Sequence, residues 1–180
     1  MAITKIQSES MNLADTYAFT GTVTGASGTQ TPFFYGEKAS DLDLSRGVLT
    51  QVTGFTTQEI DSASAFDGTT FTVPSGQAGK YFLQFAATIN FSDEGGDGEN
   101  FIAYIYKNGS NVKTAIAGTN ASTDRNINQE TVICNVVLDL SVGDTITYYA
   151  YGVDGNGGVY GNDSGQPRSS TWSMTKLIGI

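Results

Sequence analysis

The densest run of groups able to do chemistry is Ser92-Asp93-Glu94-Gly95-Gly96-Asp97-Gly98-Glu99-Asn100. Calcium takes about six to eight oxygens from carboxylates and carbonyls, and glycines let a backbone fold around the ion. Asp93, Glu94, Asp97 and Glu99 are therefore candidate calcium ligands, with a solvated turn between two strands as the competing reading. The spacing is not that of an EF-hand, because Gly95 stands at the third position of that template and Tyr104 at its twelfth. A second oxygen-rich segment, Asp154-Gly155-Asn156-Gly157-Gly158, carries fewer charges. It lies in the longest stretch without strand pattern, residues 152–170, and loops of that length commonly carry binding. Asp154, Asn156, Tyr160 and Asn162 are the candidate exposed binding residues there.

Catalytic groups are scarce. The chain has no histidine, which removes Ser–His–Asp and Cys–His catalysis and most zinc sites. Asp93 with Asp97, or Asp139 with Asp144, would be carboxylate pairs for glycoside hydrolysis, but nothing in the sequence fixes their separation. Cys134 alternates with Val132 and Val136, so it reads as a small buried apolar side chain, and a single cysteine forms no internal disulfide. No catalytic residue is assigned, and calcium is the one cofactor in play. The expectation is a protein that is not an enzyme.

Composition points the same way. Only 15% of the 180 residues are charged, against roughly 25% in ordinary soluble proteins. Polarity comes from small uncharged residues, including 22 Gly. Such a composition suits strands and turns better than helices. The net charge of −9 is spread over both halves of the chain, so clustered Lys and Arg for phosphate binding are missing and nucleic acid is not an expected partner. Anionic membrane surfaces are disfavoured by the same charge, and no apolar run is long enough for a spanning helix. Met1-Ala2-Ile3-Thr4-Lys5 lacks the apolar segment of a secretory signal, so synthesis in a host or bacterial cytoplasm is expected. Without such a signal, the Asn-x-Ser triplets at Asn90, Asn108, Asn120 and Asn162 are accidental matches to the glycosylation motif.

The elements that must position these groups are strands. In Lys80 to Phe91, the residues Tyr81, Leu83, Phe85, Ala87, Ile89 and Phe91 form one apolar face at period two. Phe101 to Lys107 is apolar on both faces, which suits a strand buried on both sides. Asn108-Gly109 then predicts a tight hairpin into Val112 to Ile116. Thr131 to Leu140 puts Val132, Cys134, Val136, Leu138 and Leu140 on one side, and Ser141 to Asp144 turns the chain into a strand over Thr145 to Val153. A last strand, Trp172 to Ile180, aligns Trp172, Met174, Ile178 and Ile180, interrupted by Lys176. Residues 1–30 read as a separate arm, with Ile6, Met11, Leu13 and Phe19 as scattered anchoring positions before a Gly/Thr-rich connector. Residues 31–180 read as one all-β domain, a sandwich or barrel.

Four of these pieces, in order, resemble the jelly-roll family of complement first-component globular heads and tumour-necrosis-factor-like proteins. They are Phe71-Thr72-Val73-Pro74-Ser75-Gly76 with Gly79 to Leu83, Ala103 to Gly109, Val137 to Ile146, and the closing strand from Trp172. The last departs from the family, with Trp172 and Met174 in place of its usual Phe-x-Gly pattern. The resemblance, over about residues 33–180, implies a jelly-roll β-sandwich and a homotrimer; with residues 1–30 the expected fold is a jelly roll with an extended N-terminal arm. Tyr148, Tyr149 and Tyr151 are the candidate trimer interface, since tyrosine is favoured where a ring is buried and its hydroxyl stays wet, while simple alternation would send some of them into the core.

The arm, Lys5 to Asp15 followed by Phe19 to Val23, is similar to the N-terminal segment of structural proteins of marine tailed phages. That similarity implies a virion component, docked to capsid or tail proteins through its arm as a decoration, fibre or tail-tip protein. It would have loops free to contact a host-surface glycan or protein. A stand-alone carbohydrate- or ligand-binding module of a bacterium is the alternative.

Overall fold

A computed structural model describes residues 32–91, 100–118, 129–153, 157–162 and 169–177. Among them there is no helix. The strands in chain order are β1 (Phe33–Glu37), β2 (Leu42–Leu44), β3 (Leu49–Gln51), β4 (Thr57–Asp61), β5 (Phe71–Thr72), β6 (Gly79–Phe91), β7 (Asn100–Lys107), β8 (Ser110–Gly118), β9 (Gln129–Leu140), β10 (Thr145–Gly152), β11 (Gly157–Val159) and β12 (Thr171–Lys176). They form two antiparallel sheets of seven and five strands, packed as a jelly-roll sandwich.

In the seven-stranded sheet, β6 pairs with β9 over Gly79–Asn90 along one edge. Along its other edge it meets β12 at Tyr81–Ala86 and then β11 at Ile89–Phe91. The sheet continues from β12 through β1 to β4, and from β11 to β2. The five-stranded sheet runs β3–β10–β7–β8, with β5 also on β10.

The period-two faces land as the residue types dictate. Tyr81, Leu83, Phe85, Ala87 and Ile89 of β6 are all fully buried, and Val132, Cys134 and Leu140 of β9 join them. Val136 and Leu138 are partly buried against the same core. The Asn108–Gly109 turn has positive φ at both residues, 50° and 76°, as a two-residue hairpin between right-twisted strands requires. β7 corrects one expectation. Phe101, Ala103 and Ile105 are buried, whereas Ile102, Tyr104 and Tyr106 face outward and are only partly covered. Its second apolar face is a surface, because the sandwich has two layers and nothing among the described residues lies over this one.

The core is organised by rings. Trp172 on β12 meets Phe34, Phe55, Phe66 and Tyr148 at centroid distances of 5.4, 5.6, 4.6 and 4.2 Å, all close to perpendicular. Phe34 comes from the same sheet and Tyr148 from the opposite one, while Phe55 and Phe66 come from the segments between strands. Asp61 holds one of those segments, its carboxylate accepting the backbone N–H groups of Ala65 and Phe66. Tyr148 also stacks on Phe85 at 4.5 Å. Aromatic pairs of this geometry each add roughly 0.5–1.5 kcal/mol beyond the area they bury. Among the described residues neither Tyr148 Oη nor Trp172 Nε1 makes a well-formed hydrogen bond. Burial pushes the Tyr148 phenol well above its ordinary value, against a small opposing effect of the nearby indole N–H.

Trp172→Leu should therefore cost about 3 kcal/mol, the transfer term plus a cavity where four rings converge. Ser173→Ala, one residue along and outward-facing, should stay within about 0.5 kcal/mol. Urea denaturation of both variants checks the contrast; equal losses would contradict the ring-centred core.

Candidate functional site

With one face of each sheet spent on the core, the other faces are what the molecule presents. Their composition follows from register. On the five-stranded sheet, Tyr104 stands directly opposite Tyr149, and Tyr151 opposite Ile102. Gln51 and Leu49 of β3 flank Tyr149 and Tyr151, while Thr114 and Ile116 of β8 flank Tyr104 and Ile102. Period-two alternation turns all of them to the same, outer side. Tyr106 lies 4.5 Å from Tyr149 and 6.2 Å from Tyr104, ring centre to ring centre. Partial burial, with the Tyr106 and Tyr151 phenols adding to it, raises the Tyr104 hydroxyl above its ordinary value. The result is a continuous tyrosine face.

The outer face of the seven-stranded sheet is built from Phe82, Gln84, Ala86 and Thr88 on β6 against Val137, Asn135, Ile133 and Thr131 on β9. Thr175, Ser173 and Thr171 of β12 and Phe33 and Tyr35 of β1 extend it. Ile133 and Val137 are 55% and 53% exposed. β9 is also an edge. It pairs with β6 on one side, and no described strand pairs with the other. A long edge strand with half-exposed aliphatic side chains is what proteins normally cover.

The strand ends carry the polar chemistry. At one end Asp144 accepts hydrogen bonds from Asn108 Nδ2 at 2.7 Å and the Ser141 N–H at 2.8 Å, and pairs with Lys107 at 2.8 Å. Asn108 Oδ1 in turn accepts the Thr145 N–H. Hydrogen bonds from Lys107, Asn108 and Ser141 hold the Asp144 carboxyl down at about 2. At the other end Lys38 is 2% exposed, its Nζ donating to the Thr53 carbonyl at 2.7 Å. Burial lowers its pKa, and the charge of Asp41 opposes that in part. Asp41 accepts the Gly161 N–H, and Gly161 packs so closely on the Ser40 backbone that a Cβ would not fit.

Tyr148, expected at a subunit interface, is in fact a core residue with no exposed surface, because it shares its side of β10 with Ile146 and Ala150. Tyr149 and Tyr151 do face outward, and the structure adds Tyr104 and Tyr106 to them. Sequence reasoning missed these two, although their alternation with Ile105 was visible. Asp144 is bound into a turn by Lys107, Asn108 and Ser141, and the Asp139 backbone carbonyl accepts from the same Lys107. Cys134 is buried, which pushes its thiol up to about 11 and leaves it unsuited to nucleophilic work.

In the candidate loop, Tyr160 is partly buried and tied by its backbone to Thr88 and Ser170. Asn162 is exposed, and its backbone N–H donates to the Lys38 carbonyl. Asp154 and Asn156 lie outside the described residues, as do the candidate calcium ligands Asp93, Glu94, Asp97 and Glu99 and the arm residues Ile6, Met11, Leu13 and Phe19. Among the described residues no group of three or more Asp, Glu, Cys or His could hold a metal ion.

No family model and no curated protein matches the sequence. Solved structures do match in fold. The globular domain of zebrafish complement 1qA is 16% identical with a TM-score of 0.52, covering 83% of this chain and 98% of its own. The tumour necrosis factor Eiger from S. frugiperda gives 13%, 0.54, 83% and 95% on the same measures. Murine APRIL gives 15%, 0.51, 81% and 98%. At these identities the likeness is one of fold: the domain is a jelly roll similar to those of complement C1q and the tumour-necrosis-factor proteins.

The Asp144 network has a pH signature. A carboxylate held at about 2, below the ordinary 3.8, contributes stability that is complete above about pH 4 and is lost as the pH falls through 2. Asp144→Asn should cost about 1–2 kcal/mol near neutrality. The gap between variant and parent should close in acid-titrated denaturation curves; a gap independent of pH would contradict the assignment.

Proposed function

We propose that this chain is a non-enzymatic assembly protein, a jelly-roll head that forms a homotrimer through the outer face of its seven-stranded sheet and is carried by its N-terminal arm on a tailed-phage particle. The observation that carries the association is the outer side of β9, which no described strand pairs beyond β6 and where Ile133 and Val137 are 55% and 53% exposed. Burying such side chains favours association by about 25 cal/mol per Å² of apolar surface. The middle of the adjoining face, from Phe82 to Thr88 and Thr131 to Val137, carries no charge whose desolvation would oppose contact. Three copies rather than two is what the family resemblance implies. The virion setting rests on the similarity of residues 5–23 to phage structural proteins, and a chain without histidine and with a thiol out of nucleophilic range is consistent with an assembly role.

Light scattering of the full chain should give the mass of three copies. Ile133→Glu combined with Val137→Glu should give folded monomers, while Tyr149→Glu on the opposite sheet should leave the trimer intact. A monomeric parent, or loss of association with Tyr149→Glu alone, would contradict the interface. Removal of residues 1–25 should leave a folded head that no longer joins particles. Retained incorporation would sink the arm as the anchor.

A further inference from the structure

We propose that the tyrosine face of the five-stranded sheet, centred on Tyr104, Tyr106 and Tyr149, is a binding platform for uncharged oligosaccharide. This goes beyond trimer formation and is independent of it, because the platform lies on the opposite side of the sandwich from β9's partner sheet face.

Ring geometry is the first ground. Tyr106 and Tyr149 approach to 4.5 Å at 46°, and Tyr104 and Tyr106 to 6.2 Å at 74°. Each ring is steadied by its neighbours in a strand pair whose register runs unbroken from Ile146–Lys107 to Gly152–Phe101. A rigid aromatic surface orders few side chains when a ligand arrives, which limits the entropic cost of binding. The apolar C–H faces of a sugar ring match an aromatic plane, and phenol hydroxyls at the ring tips supply donors and acceptors for sugar hydroxyls.

Charge is the second ground, and it selects the ligand. The outward positions of β3, β10 and β7, together with Thr114 and Ile116 of β8, include no Asp, Glu, Lys or Arg. Yet the chain as a whole has 27 such residues, 9 basic and 18 acidic, and a net charge of −9. A polyanion such as a sulfated or sialylated glycan is repelled by the molecule's net charge and meets no cation at these strand positions. A basic peptide meets no carboxylate at the same described positions. A neutral polyhydroxylated chain loses nothing in either respect, and Gln51, Thr114 and Thr147 add further uncharged hydrogen-bonding groups beside the rings.

The test uses the full chain on a printed panel of neutral, sialylated and sulfated glycans, followed by titration of the tyrosine ring resonances in a selectively labelled sample. Expected are binding to neutral members alone and saturable shifts confined to Tyr104, Tyr106, Tyr149 and Tyr151. Tyr149→Thr, which keeps a strand-forming residue, should weaken binding about tenfold or more, the loss of one stacked ring and its hydroxyl. Tyr149→Phe should weaken it less, and both should retain the parent's circular dichroism. Binding to charged glycans, no binding across the panel, or shifts at the buried Tyr81 and Tyr148 in place of the face would each overturn the proposal. So would shifts that depend on protein concentration without sugar, which would assign the face to a second copy.

Discussion

The packing of four rings around Trp172 is the constraint on which the rest of the structure depends. Trp172 reaches across the sandwich to Tyr148 and along its own sheet to Phe34, and it draws in Phe55 and Phe66 from the connecting segments. Interiors packed at crystal-like density do not deform smoothly, so such a cluster fixes the two sheets against each other. It also fixes which residues of each strand point inward. Since side chains alternate with a period of two, choosing the inner set of β7 and β10 leaves Tyr104, Tyr106, Tyr149 and Tyr151 outside with no further freedom.

Register is then held at the strand ends by polar groups. Asn108 and Gly109 supply the left-handed conformations of the β7–β8 turn, and the Asn108 side chain links that turn to Asp144 and Thr145 at the start of β10. A one-residue slip of β10 against β7 would break those bonds and bring Tyr149 into the core in place of Tyr148. At the far end Lys38 ties the chain after β1 to Thr53, while its backbone bonds to Ser170 and Asn162. The outer faces are thus consequences of a core and two sets of end locks.

Much of this was legible in the residues. The run from Tyr81 to Ile89 alternates so regularly that its buried face follows from period alone, and Asn108-Gly109 is a turn by the chemistry of positive φ. β10 shows where local pattern falls short. The tyrosines Tyr148, Tyr149 and Tyr151 look equivalent until parity is considered: Tyr148 shares its side with Ile146 and Ala150, Tyr149 and Tyr151 share theirs with Thr147. The polar threonine was the available signal. β7 showed its alternation but not which side faces out, since Ile102, Tyr104 and Tyr106 are as apolar as the buried side and what leaves them outward is that no described layer lies over them. Lys38 was illegible for another reason. Glu37 to Asp41 reads as a polar segment, and the groups that bury Lys38 come from Thr53, Asn162 and Ser170, distant along the chain.

Charge placement separates the two faces from the rest of the surface. Lys80 opposite Asp139 bounds one end of the β6–β9 face, and Glu37 bounds the other across β1. The Lys107–Asp144 pair sits at the end of the tyrosine face and not within it. A sheet surface meant for water would interleave charges along its strands, both for solubility and to discourage edge pairing. Here the strands carry threonine, serine, asparagine and tyrosine instead, groups that hydrogen-bond without the large desolvation cost of an ion. The low charged fraction that first marked the sequence is therefore not uniform dilution. It is the signature of two broad faces from which charge has been withdrawn to the rims, one aliphatic along β9 and one aromatic across paired strands.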